Sequence, residues 1–202
     1  MVVAKGRNNM LASIEDSASL LNSLVDELDI FYTNKLTECK RKIELFKTEN
    51  ATVDPEVLYS MFSELNYAIS IYEELFFETK EMLISKIYSY AEKHMTELLL
   101  LLGYNHNKIS KEYRDNNPST QGISDIDKCC YILQKHFGLE NQLLDVYWPN
   151  FTVFHKLRKN IEHHYNSDYV TIDIKMIKNN LCNAQQLLKH IEFVTREKRL
   201  IR

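Results

Sequence analysis

The chain has 202 residues, is 45% hydrophobic and 26% charged, and carries a formal net charge of −3. Those values suit a globular protein with a sizeable core and exclude one that gathers nucleic acid through bulk charge, so any RNA contact needs a local patch. Four glycines and three prolines are too few turn formers for a β-rich fold, and the supply of Leu, Ile, Lys and Glu predicts an all-α protein.

The first nine residues read as a frayed start. From Met10 to about Thr48, apolar positions Leu11, Ile14, Ala18, Leu21, Val25 and Leu28 recur at three-four spacing, which predicts a long helix with a narrow seam. The register drifts at Phe31 and Tyr32 and resumes with Leu36, Cys39, Ile43 and Phe46. Lys40, Arg41, Lys42 and Lys47 fall in the last turns, where cations suit the helix dipole; they read as a solvated helix end. A break at Glu49 to Asp54 precedes Pro55, a favoured first helical residue.

The second helix shows Met61, Leu65, Ala68, Tyr72, Leu75, Thr79 and Met82 as its seam. It pairs with the first as an antiparallel hairpin and continues to Gly103, with a kink expected near Phe77 to Glu81. Tyr67, Tyr72, Phe76 and Phe77 read as core. A short helix over Tyr104 to Asp115 and a loop at Asn116 to Gly122 follow. Ser124 or Asp125 caps a helix from Asp125 to Phe137 that Gly138 ends. Asn141 to Val146 reads as a short helical piece and Trp148-Pro149 as a turn. A last helix, about Asp173 to Lys198, has Met176, Ile177, Leu181, Ala184, Leu187, Leu188, Ile191 and Val194 as its packing stripe. The domain division implied is a helical hairpin over 1–80 and a helical domain over 81–202, or one continuous domain.

Cys39, Cys129, Cys130 and Cys182 form no Cys-x-x-Cys pair, which predicts a reduced, cytoplasmic protein. The start lacks the order of a signal peptide, and the apolar run Leu98 to Leu102 is too short to span a bilayer, so no membrane partner is expected. His94, His106 and His136 are scattered without zinc-site spacing. No glycine-rich phosphate loop or nucleophile elbow is present.

Chemistry concentrates in Phe151 to Tyr165. Phe151, Phe154, Leu157 and Ile161 can bury one helical face, leaving Arg158, two lysines, three histidines and Glu162 to the other side. Arg158-Lys-Asn-Ile-Glu-His163 resembles the Arg-x4–6-His signature of the HEPN superfamily, helical domains that include metal-independent ribonucleases. Ile161 fits the aliphatic slot, and the helix Leu83 to Leu98 is similar to the early HEPN helix, with Glu92 as its acidic residue. The resemblance covers about Ile84 to Lys198. It departs where Lys159 follows the arginine and Asn160 comes one place later, and His164 satisfies the spacing as well as His163 does.

The resemblance implies a HEPN-like bundle that dimerises so that two motifs line one cleft and cut RNA without metal or cofactor. Arg158 would hold phosphate and His163 would move protons; Asn160, His164, Lys159 and Lys156 would contact the strand, and Glu92 would orient the pair. The implied setting is toxin–antitoxin, abortive-infection or antiviral defence, with a possible antitoxin or sensor partner. On an unbroken helix Arg158 and His163 lie about 140° apart, so they converge only if the helix ends early or across a two-fold axis. The structural alternatives are an i,i+4 ion pair from Arg158 to Glu162 and a solvated Glu92. For the whole protein they are a non-catalytic HEPN-like binding module and a coiled-coil scaffold.

Overall fold

The structure is a computed structural model that describes residues 2–49, 55–118, 123–139, 157–158 and 172–200. It is all-α: helices α1 (Val2–Glu49), α2 (Pro55–Leu101), α3 (His106–Asn116), α4 (Asp125–Phe137) and α5 (Ile174–Leu200) follow one another, with no strand among the described residues. Leu157 and Arg158 are also helical.

Helices α1 and α2 form the expected antiparallel hairpin. Phe46 meets Phe62 edge-on at 5.7 Å, Tyr32 stacks on Phe76 at 4.8 Å, and the Tyr90 hydroxyl donates to the Ile14 carbonyl at 3.1 Å. Partners thus climb α1 as they descend α2. The seam on α1 is a strict seven-residue repeat of Ala18, Val25, Tyr32, Cys39 and Phe46, faced on α2 by Phe62, Ile69, Phe76, Leu83 and Tyr90. A sustained heptad keeps both contact faces in register along a pair of helices. α2 is helical without interruption through Phe77 to Glu81.

Three details depart from the sequence pattern. Tyr32 does not leave the seam; it stays on the repeat, 9% exposed, while Phe31 faces out. Leu75 and Met82 sit beside the seam of α2 and are 42% and 45% exposed. Tyr67, expected in the core, is 69% exposed. In each case the apolar residue lies one helical step from a less exposed one, and about 100° of rotation turns it towards solvent.

The core lies at the base of the hairpin. Met10, Ile14, Ala18 and Val25 from α1 pack with Leu83, Ile87, Ala91, Met95 and Leu99 from α2, and with the inner faces of α4 and α5. The first half of α1 is therefore part of the same packed unit as residues beyond 81. α5 runs antiparallel to α1: Lys178 pairs with Asp26, and Lys189 lies 2.8 Å from Glu15. The stripe read on α5 is inward, with Ile177, Leu181, Ala184, Leu187, Leu188 and Ile191 all at 1% exposure or less.

Helix ends follow local chemistry. α2 stops in a Schellman motif, with Tyr104 N–H donating to Leu99 O and Gly103 N–H to Leu100 O, both at 2.9 Å. Gly103 supplies the left-handed residue at φ 85°. Ser124, rather than Asp125, caps α4, and Gly138 ends it at φ 61°. α3 docks on α4 through the Glu112 carboxylate, which contacts Lys135 and His136, and through an edge-on Tyr113–Tyr131 pair. The expected helical piece at 141–146 and the turn at 148–149 lie outside the described residues.

Candidate functional site

Arg158 is delivered to the bundle by its neighbour. Leu157 is 8% exposed and packs in the main core, so the next residue is turned about 100° to the edge of the same surface. There the Arg158 guanidinium lies over the ring of Tyr88, 4.1 Å from its centroid. Tyr88 is on the core side of α2 and only 1% exposed. A cation held over a desolvated aromatic face gains about 1–2 kcal/mol.

Tyr88 is itself tied down. Its hydroxyl is hydrogen-bonded to the Ser124 side chain. Ser124 spends its own hydrogen on Asp127, Oγ to Oδ2 at 2.6 Å, while accepting from the Asp127 backbone N–H at 3.2 Å. Burial is the largest influence on the phenol and pushes it up; the Ser124 bond opposes this, the Glu92 charge adds to it, and Arg158 opposes it. The outcome is about 12, so Tyr88 stays a neutral phenol at ordinary pH.

Glu92 stands one helical turn beyond Tyr88, half-buried. Its charge acts on both Tyr88 and the Cys129 thiol, which burial pushes up to about 12. Arg158 thus lies over the Tyr88 ring, and the charges of both Arg158 and Glu92 act on its phenol. Of the other predicted site residues, Lys156, Lys159, Asn160, His163 and His164 lie outside the described residues, as does Glu162. Tyr88, Ser124 and Asp127 were not expected at the site. The cap at Ser124 was legible locally; its link to Tyr88 joins residues far apart in the chain, which helical spacing does not reveal.

A second feature adjoins this cluster. His106, Asn107, Ser110, Lys111, Arg114 and Lys128 line an open groove of about 600 Å³ between α3 and α4. Lys111 and Arg114 are exposed; Arg114 Nε donates to the Ser110 carbonyl at 3.2 Å, which steadies the side chain. Lys128 is held by Asp125 at 2.6 Å, and His106 Nδ1 is 4.0 Å from the same residue. Asp125 and Lys128 belong to the same first turn of α4 as Ser124 and Asp127. One turn of α4 thus supplies both a residue of the groove, Lys128, and the Ser124 contact to Tyr88.

The remaining histidines have other surroundings. His94 is 1% exposed and packs edge-on against Tyr90. Its Nδ1 is 3.2 Å from Glu97 Oε2 but makes no hydrogen bond in that geometry. Burial lowers its pKa, with Glu97 opposing. Cys129 and Cys130 are buried, as expected of core residues. Among the described residues no three His, Cys, Asp or Glu side chains gather as a metal site, and no helix is long and apolar enough to cross a membrane. No family model, curated protein or solved structure matches the chain.

Proposed function

We propose that the protein is a metal-independent endoribonuclease, active as a homodimer, in which Arg158 grips the scissile phosphate. The observation that carries this is the Arg158 guanidinium fixed on Tyr88, beside a cationic groove lined by Lys111, Arg114 and Lys128. A guanidinium whose face is already held loses little freedom when its planar donors meet two phosphate oxygens. The groove supplies the charge that the chain as a whole lacks, and a single strand laid along it would reach α4 and then Arg158.

In the reaction the ribose 2′-hydroxyl loses its proton to an imidazole and attacks the adjacent phosphorus. The bond from phosphorus to the 5′ oxygen breaks, and that oxygen takes up a proton. The products are a 2′,3′-cyclic phosphate and a 5′-hydroxyl. His163 is the imidazole of this proposal, with His164 as the neighbouring choice; Arg158 offsets the charge that grows on the phosphoryl oxygens. Asn160, Lys156 and Lys159 contact the strand, and Glu92 sets the electrostatics of the Tyr88 platform. DNA, lacking the attacking hydroxyl, is not cut. The biological setting of this proposal is RNA-cutting defence, as in toxin–antitoxin, abortive-infection or antiviral systems.

The test is cleavage of an end-labelled single-stranded RNA by purified protein. Arg158→Ala and His163→Ala should fold and lose about 100-fold or more of the cleavage rate; full cleavage by both variants ends the proposal. One observation favours a second reading: Tyr88 is almost wholly buried, so Arg158 could serve as its lid in a non-catalytic RNA-binding module. Retained RNA binding with no products from the wild-type protein would select that reading.

A further inference from the structure

The far part of the α1–α2 hairpin carries an apolar flank that the described bundle leaves uncovered. Leu24, Phe31 and Leu45 on α1 are 37%, 48% and 42% exposed. Each stands one residue before a seam position, as do Leu75 and Met82 on α2. In an antiparallel pair such positions fall on the same side of both helices. The contacts Phe46–Phe62 and Tyr32–Phe76 set the heights: Leu24 is level with Met82, Phe31 with Leu75, and Glu38 with Ala68. Leu20 and Ile71, 72% and 37% exposed, widen the strip. The opposite flank carries Asn22, Asp29, Thr33, Lys40, Asn66 and Glu73, with Leu36, Ile43 and Phe77 half-buried among them.

We propose that this flank is the docking face for a second copy of the chain, the two hairpins forming a four-helix bundle about a two-fold axis parallel to their length. Size supports this occupant. Leu20 to Leu45 spans roughly 40 Å, and two helices present roughly 20 Å of width, about 800 Å² per copy. That is the contribution of one partner to a standard stable interface. The pattern supports it too, because a hairpin whose apolar residues stand level on both helices is complementary to itself.

Charge selects the axis. Glu38 lies within the strip and is paired with Lys42 at 2.7 Å, which holds its carboxyl low. An axis along the hairpin sets each α1 over the partner's α2 at equal height, so Glu38 meets the partner's Ala68, a small residue that leaves room for the ion pair. The same axis sets Arg41 over the partner's Glu64. An axis across the hairpin would press Glu38 against a large apolar residue, Phe31 or Leu24. The chosen axis brings Glu27 over the partner's Glu78, a like-charge contact at the rim. It also places both copies of the Arg158–Tyr88 cluster at the same end of the dimer.

Sedimentation equilibrium on the full chain at micromolar concentration tests the proposal. The expected mass is twice 23.9 kDa. Phe31→Asp with Leu75→Asp should give a folded monomer with an unchanged helical circular-dichroism spectrum and a lower melting temperature, whereas Thr33→Asp with Ser70→Asp on the opposite flank should remain a dimer. Glu27→Lys should tighten the dimer several-fold by pairing with the partner's Glu78. A monomeric wild type, a flank variant that stays dimeric, or a Glu27→Lys dimer that is unchanged or weaker overturns the proposal. Arg158→Ala should leave the mass unchanged, which separates this result from the fate of the cleavage reading.

Discussion

Helices α1 and α2 pair through one seven-residue repeat, yet the repeat is sealed at the base of the hairpin and open towards its tip. At the base Ala18, Val25, Leu83 and Ile87 are at most 1% exposed, because α4 and α5 cover what the two helices cannot cover for each other. Further out, Ile69, Phe76 and Phe62 occupy equivalent positions and are only half-buried. Two helices enclose a seam but no volume; a third and fourth are needed before an apolar face loses all its water. The same heptad thus supports a core in one place and an uncovered flank in another. The candidate site belongs to the covered end, where Leu157 and Tyr88 anchor it.

The sharpest break of this comparison is a matched pair of truncations. Ile87→Ala at the base should cost about 2–5 kcal/mol, and Ile69→Ala on the outer seam about 1 kcal/mol, since less area leaves water there and any cavity opens to solvent. Urea unfolding of both variants checks it; equal costs would show that the outer seam is sealed as well as the base.

A smaller effect is expected at the link between α4 and α2. Ser124→Ala removes a cap and the hydrogen-bond partner of the Tyr88 hydroxyl, and should cost about 1–2 kcal/mol. Combined with Tyr88→Phe, the two changes should be less than additive by about 0.5–1.5 kcal/mol, because both delete the same hydrogen bond. Strict additivity in the double-mutant cycle would mean that the bond contributes nothing to the platform under Arg158.

The smallest effect is a pH dependence of the base alone. His94 is buried there with its pKa lowered, chiefly by burial. Below about pH 6.5 the unfolded chain takes up a proton that the folded His94 resists, so stability falls as pH falls through that range. The melting temperature should therefore drop less between pH 7 and pH 5 in His94→Leu than in the wild type. Parallel curves for the two proteins would count against a buried neutral imidazole.

The helices, their order and most of their ends were legible in the sequence because their causes are local. Proline at the start of α2, Ser124 before α4, and Gly103 and Gly138 after α2 and α4 act on hydrogen bonds within a turn or two. The inward stripe of α5 was equally plain, since its apolar residues occupy one face only. α2 was harder: apolar residues occupy both its seam and the adjoining flank, so periodicity alone placed Leu75, Met82 and Tyr67 inside. At the site, the chemistry-bearing Arg158 was legible as a residue type in a crowded polar segment. Its platform was not, because Tyr88 looks like any other aromatic residue of a buried helix.

By itself the sequence determined where the backbone coils and where it stops, since hydrogen bonding within a helix and at its caps needs only near neighbours. Only the tertiary structure decided which apolar residues lose their water and which ring receives Arg158. Those outcomes depend on helices arriving from elsewhere in the chain: α4 and α5 at the base of the hairpin, and Leu157 carrying the arginine to Tyr88 across some seventy residues of sequence.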